Sequence, residues 1–452
     1  MTSPSALAAL ANFVSTADPP PAARAAAARA FLDTLGVALA GASEPAARSV
    51  ARVVAADGRG PCAIVGTAIR ATASNAALAN GTAAHALDFD DMCFVSLAHP
   101  SAPLVSAALA AGEAAGATGR ALLDGYVVGF EIEGRLGRTM NPRHYHRGWH
   151  CTATIGTIGA AAAAARVFGL DAAATAHALA IAASEASGLK ENFGTMVKPL
   201  HAGLAARNGV LAAQLAAAGM IASAAAIGGP QGLLAAMDSE RPTLGDAIAD
   251  LGTRWEILDT GITVKLYPSC AGTHPTLDAL LDLRRRHGIT AEDVEAIEIG
   301  VDPIVPTILI HDRPSTGLEG KFSMPFCAAA AVVRGTIGIE TFTPQCLRDP
   351  AVLDVQSRVS MHVDPSLDPG APPLTQSRVT VRLRDGRALA AFAKGARGYP
   401  VQPASDDELA AKFASCAASA LPAAAVREAL SALRHIERAG DIRGLTPLLQ
   451  QR

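Results

Sequence analysis

The sequence predicts a mainly helical fold with a second, smaller α+β domain. Three observations lead there. At 452 residues the chain exceeds what one hydrophobic core usually serves, so two domains are the default. The apolar fraction is 50%, much of it alanine, which favours helix strongly and adds little transfer energy, so many closely packed small-residue helices follow. Near residue 263 the texture changes, and period-2 alternation replaces helical spacing.

The elements follow in order. Residues 22–42 carry Ala and Leu at helical spacing up to Gly41. Residues 120–140 place Leu122, Leu123, Tyr126, Val127 and Phe130 on one stripe and stop at Asn141-Pro142. After the loop RHYHRGWH comes a helix over 152–168, closed by Gly169, with Asp171 capping the next. Beyond 263, residues 294–301 alternate, 358–363 put Val359, Met361 and Val363 on one face, and 378–384 repeat the pattern. Asp385-Gly386 is a hairpin turn before 387–392. These runs predict a half-buried antiparallel sheet, accompanied by helices over 275–287 and 322–335. The Pro-rich 365–373 stretch reads as a long loop. Ser405-Asp-Asp-Glu408 is a capping box that opens a helix, and another follows over 424–439. The domains are therefore 1–262, all helical; 263–402, an α+β lid; and 403–452, helices that rejoin the first.

Composition excludes several functions. Aromatics at 4% and a formal net charge of −3 give neither stacking platforms nor a basic footprint, so no nucleic-acid partner is expected. The N-terminus lacks a basic region ahead of its apolar run, which Asp18 and Pro19 to Pro21 close, so it does not read as a secretory signal. The longest apolar windows, 152–170 and 203–229, contain Arg166, Arg207, Asn208 and Gln214, and read as buried helices with no membrane partner. Seven scattered cysteines without a CxxC pair fit free thiols in a reducing, cytoplasmic setting.

Seven of the twelve histidines fall between 85 and 201. Four segments concentrate them with other reactive groups: HALDFDDMCFVSLAHPSAP (His85, Asp88, Asp90, Asp91, His99), HYHRGWHCTATIG (His144, His146, Arg147, His150), LKENFGTMVKPLHAGLAARNG (Thr195, Lys198, His201) and VKLYPSCAGTH (Lys265, Tyr267, Ser269, Cys270, His274). Each has an ordinary alternative: the aspartates as a polar turn after a helix, His99 as a loop histidine satisfied by backbone, Lys198 and His201 as a solvated basic rim, Cys270 as a packed thiol. The HxHxxxH spacing suggests a metal at first sight, but it lacks a supporting carboxylate at helical spacing or a Cys partner, and no metal is predicted. Lys198 and His201, three apart among Gly194, Pro199 and Gly203, shape a helix N-terminus suited to a bound carboxylate.

These segments, with EGKFSMPF, resemble the MmgE/PrpD family along essentially the whole chain, and FGTMVKPLHAG is the most specific of them. The resemblance implies a large helical domain built from both chain ends, a smaller α+β lid, a homodimer, and an active site between helical domain and lid that uses neither metal nor organic cofactor. It implies site residues Asp88, His99, His150, Lys198 and Lys265; Thr195, His201, Tyr267, Ser269, Cys270 and His274, which stand in the same segments, are expected as substrate contacts. Family activities include dehydration, decarboxylation and epimerisation of small polycarboxylates. The chain departs from the decarboxylase pattern at Cys270, where those members carry His, at Phe326, where they carry Tyr, and near Met92, where they carry Thr; the spacing from Asp88 to His99 is one residue longer. It departs from the dehydratase pattern at Pro268-Ser269-Cys270.

Removing a proton next to a carboxylate needs a positioned base and cations that hold the developing charge. His99 and His150 are expected as the acid/base pair with Asp88 orienting them, and Lys198 and Lys265 as partners of the substrate carboxylates. The expected activity is a cofactor-free lyase, dehydratase or decarboxylase, on a small di- or tricarboxylic acid. The alternatives are an epimerase of an aspartate-like or iminodisuccinate-like diacid, with Cys270 as second acid/base, and a non-catalytic carboxylate binder. Replacing His150 or Lys198 with Ala is expected to remove turnover with unfolding nearly unchanged.

Overall fold

The computed structural model describes residues 5–367 and 375–451. By its contacts the chain divides into two compact units, Met1–Thr263 with Ser405–Arg452, and Val264–Ala404. Among the described residues no single helix is long and apolar enough to cross a membrane.

In the first unit the centre is the helix Cys151–Val167, in which every residue but Arg166 is buried. A helix apolar all round has no solvent face and must sit inside. Around it pack Ser101–Ala115, Gly119–Met140 and Val197–Ala217, and Ala73–His85 packs in turn on Val197–Ala217. That last pair meets at two glycines. A Cβ on Gly81 would come within 2.9 Å of the Gly203 Cα, and one on Gly203 would collide with the Leu78 carbonyl and the Thr82 hydroxyl. Only bare backbone permits such an approach, and it sets the end of one helix beside the start of the other.

The returning helix Asp406–Ala417 opens with the capping box Ser405/Glu408 and packs on Pro21–Gly41. Its buried Lys412 Nζ lies 2.7 Å from Asp33 Oδ1 and donates to the Phe89 carbonyl at 2.7 Å. The C-terminal stretch thus reaches the HALDFDD turn.

The second unit holds a four-stranded sheet in the order Val359–Val363, Val294–Val301, Ser377–Leu383, Ala388–Ala393. Val379, Val381 and Leu383 are buried while Arg378 and Arg382 face solvent, the alternation of a half-buried sheet. The expected antiparallel sheet is in fact mixed: two of its pairings are antiparallel, but Val294–Val301 and Val359–Val363 run parallel. The reason lies between them. Residues 302–358 contain the helices Met324–Arg334 and Pro350–Gln356, a connection long enough for the crossover that parallel strands require. Helix His274–His287 packs on the other two strands. Of the Pro-rich 365–373 stretch, residues 368–373 lie outside the described residues.

Candidate active site

The site in the first unit begins where Ala73–His85 ends. The chain turns back at once, with Asp88 in the left-handed region at φ 51°, a conformation that aspartate tolerates better than most residues. The turn brings Asp90 against the last helical residue, His85, with Nδ1 to Oδ2 at 2.8 Å. Lys198, in the first turn of Val197–Ala217, sends its Nζ to Asp88 Oδ1 at 2.6 Å and to His85 Nε2 at 3.0 Å. The Gly81/Gly203 contact is what puts these two helix ends in reach.

His99 and His150 arrive from a third direction. The His99 backbone N–H donates to Thr152 Oγ1 at 2.9 Å, on the helix that His150 caps. The His99 ring lies 4.5 Å from that of His85, with Nδ1 3.4 Å from Asp90 Oδ2 and Nε2 3.8 Å from Asp88 Oδ1. His150 Nδ1 meets His201 Nδ1 at 3.0 Å, and its ring stands edge-on to Phe193 at 4.9 Å. Thus Asp88, His99, His150, Lys198 and His201 come together, and all five are buried.

The environment sets the charges. Burial, followed by the Lys198 ammonium, pushes His150 well below the ordinary imidazole range and His201 down to about 4. Burial also brings His85 down to about 3, despite the opposing pull of Asp90. Burial raises Asp90, but His85 and His99 outweigh it and hold the carboxyl well below the usual range. Directly behind lies Asp91, raised to about 8 by burial; it accepts from the Ser101 hydroxyl and, at 3.2 Å, from the Ser101 N–H, and the Ser101 hydroxyl also meets the Tyr126 hydroxyl at 2.6 Å.

One reading of a single residue changes. The carboxylate on the Nδ1 side of His99 is Asp90, whereas Asp88 is engaged by Lys198 and stands 3.8 Å from the other ring nitrogen. Arg147 is exposed and faces Asp238 at 3.6 Å, so it supplies no buried cation. The HxHxxxH histidines do not converge: His144 is buried between Thr154 Oγ1 (2.8 Å) and the Met237 carbonyl (3.2 Å), and His146 is exposed.

Thr195 is exposed and its hydroxyl serves its own turn, donating to the Asn192 carbonyl at 2.8 Å. In the second unit Lys265 is fully buried. Tyr267 donates to Asp278 at 2.6 Å, Ser269 shares a 2.8 Å bond with Thr273, His274 Nε2 lies 3.1 Å from the Ser269 carbonyl, and Cys270 is half-buried, with its N–H on the Lys321 carbonyl at 3.0 Å. Sequence reasoning gave no role to His85, although it lies three residues before Asp88 and five before Asp90, a spacing that a tight turn after a helix folds onto itself.

Four groups have the donor chemistry for a divalent ion: His85, Asp88, Asp90 and His99 offer ligand atoms within 4.8 Å of one another. The Lys198 ammonium already sits against two of them, so an ion there would have to displace it.

The MmgE/PrpD N-terminal domain model matches residues 5–244 and the MmgE/PrpD C-terminal domain model residues 267–437. The second match runs past Ala404, so the sequence family's division is not that of the compact units. The human cis-aconitate decarboxylase is 28% identical over 84% of this chain and 80% of its own length; that of Mus musculus is 28% identical over 83% and 78%. A cis-aconitate decarboxylase-like protein of Aspergillus oryzae is 26% identical over 93% of this chain and 91% of its own. With its two halves matched in order across most of its length, the chain belongs to the MmgE/PrpD family.

Proposed function

We propose that this protein is a lyase that removes CO2 from a small unsaturated di- or tricarboxylate. The observation that carries the reading is the buried cluster of His85, His99, His150 and His201 around the Lys198–Asp88 pair. The decarboxylase relatives favour loss of CO2 over loss of water.

In this reading Lys198 meets a substrate carboxylate. The C–CO2 bond breaks, its electron pair stays on the carbon framework, and an imidazole N–H delivers the proton that replaces the carboxyl group. His99 and His150 are the proton-handling groups, with Asp90 fixing the His99 ring. Lys265 enters as a second cation on the family resemblance alone. An enclosed, poorly hydrated setting strengthens each of these electrostatic contacts.

The charge count adds a constraint. With neutral imidazoles, Lys198 contributes +1 and Asp88 and Asp90 −1 each, leaving −1, which repels an anion. Carboxylate binding therefore needs a further cation, the place Lys265 takes in this reading.

The test is a panel of di- and tricarboxylates in heavy water. Release of CO2 with one deuterium in the product supports the reading. Loss of water without CO2, or deuterium uptake with unchanged connectivity, replaces it with a hydro-lyase or an epimerase. Binding without any turnover would mark a carboxylate-binding protein instead.

A further inference from the structure

His85 has two bonding partners that between them leave it no choice of tautomer. An ammonium has donors only, so His85 Nε2, 3.0 Å from Lys198 Nζ, must be the bare acceptor nitrogen. A carboxylate has acceptors only, so His85 Nδ1, 2.8 Å from Asp90 Oδ2, must carry the hydrogen. The ring is fully buried, and both nitrogens are used within the protein. A proton added at Nε2 would place two cationic donors 3.0 Å apart.

We propose that His85 is a positioning residue: held by Asp90, its unprotonated Nε2 aims the Lys198 ammonium. It does not handle the transferred proton. Asp88 and His85 grip Lys198 from two sides, and with both in place the direction of the ammonium is set before substrate arrives, which is the preorganisation that makes a fixed cation effective. Burial and the neighbouring ammonium both keep this imidazole neutral, in agreement with the geometry. The kinetic part of the proposal rests on the lyase reading above; the tautomer itself does not.

Two isosteric variants separate the two bonds. In His85→Gln the amide oxygen takes the place of Nε2 and still accepts from Lys198, while the donor to Asp90 is lost. In His85→Asn the amide nitrogen takes the place of Nδ1 and still donates to Asp90, while nothing reaches Lys198. Only His85→Asn loses the bond that aims the Lys198 ammonium, so it is expected to raise KM about tenfold or more, while His85→Gln stays within about threefold of the parent and kcat moves less than KM in both. Equal damage in the two variants, or a loss confined to kcat, overturns the proposal. Nitrogen-15 spectra of the histidine-labelled parent protein give a second measurement, independent of turnover and of variant folding. They should show a buried neutral Nδ1–H imidazole that does not titrate across roughly pH 5.5–8.5. An Nε2–H tautomer or a titration in that range rejects it, whatever the substrate proves to be.

Discussion

Lys198 and Asp88 form an ion pair in which both side chains are about nineteen-twentieths buried. Removing one partner of such a pair strands the other in a place that water does not reach. The expectation of unchanged unfolding therefore fails for Lys198: Lys198→Met should abolish turnover and also cost about 3–5 kcal/mol in denaturant unfolding. His150→Ala leaves no buried charge behind, and its loss of activity should come with the smaller stability change of a truncated ring. A Lys198→Met protein with parental stability would show that the pair is not closed in solution.

Single residues also set the response to pH. His144 and His201, both at about 4, and His85, at about 3, lie below the unfolded imidazole near 6.5. The unfolded chain binds protons first as pH falls, so their contribution is complete above about 6.5 and is lost progressively towards 4 for His144 and His201 and towards 3 for His85. Asp91 works the other way: with a folded value of about 8, its contribution is complete below the unfolded value near 4 and is lost as pH rises towards 8. Thermal midpoints should fall on both sides of mildly acidic pH. In Asp91→Asn the alkaline decline should shrink while the acid decline persists; an unaltered alkaline slope would mean that Asp91 is not the group responsible.

At the scale of elements, the glycine contact between Ala73–His85 and Val197–Ala217 decides whether the site exists. A single methyl at Gly203 must push apart the two helix ends that carry His85 and Lys198. Gly203→Ala, mild in an exposed helix, should here cost well over the ordinary propensity gain and remove most activity, measured as Tm and as turnover at saturating substrate. Retained activity would show that the helices can part without disturbing the imidazoles.

Elements were also where the sequence spoke most clearly. Helical spacing and the Ser405 capping box gave the helices to within a few residues, because caps and periodicity are local. The sheet's alternation was legible, but the parallel pairing of Val359–Val363 was not, since strand direction is chosen by a long connection and leaves no mark in the strand itself. In the site, residue types were legible and partners were not. HALDFDD shows three aspartates in four positions, and only the left-handed turn at Asp88 reveals that one faces an ammonium and the next an imidazole.

For the whole molecule, family and fold class could be read from the sequence, because small-residue helices and odd Gly/Lys/Pro/His strings are visible without contacts. The link from the C-terminal stretch to the HALDFDD turn could not. Lys412 meets a buried Asp33 and the Phe89 carbonyl, and nothing in its surroundings Asp-Asp-Glu-Leu-Ala-Ala-Lys announces either. Lys412→Met should lower thermal stability by several degrees and reduce turnover together, since it strands Asp33 and loosens the turn before Asp90. A variant that lost stability but kept full turnover at low temperature would separate the anchor from the site.

That anchor imposes an order on biosynthesis. More than three hundred residues separate Phe89 from the side chain that holds its carbonyl. A ribosome that has already released the entire second unit has still not supplied this clasp, so the nascent helical unit must wait with Asp33 lacking its cation. A truncation between the second unit and Lys412, by a premature stop or a protease, would leave a chain with every proposed proton-handling imidazole present and their supporting turn unfastened.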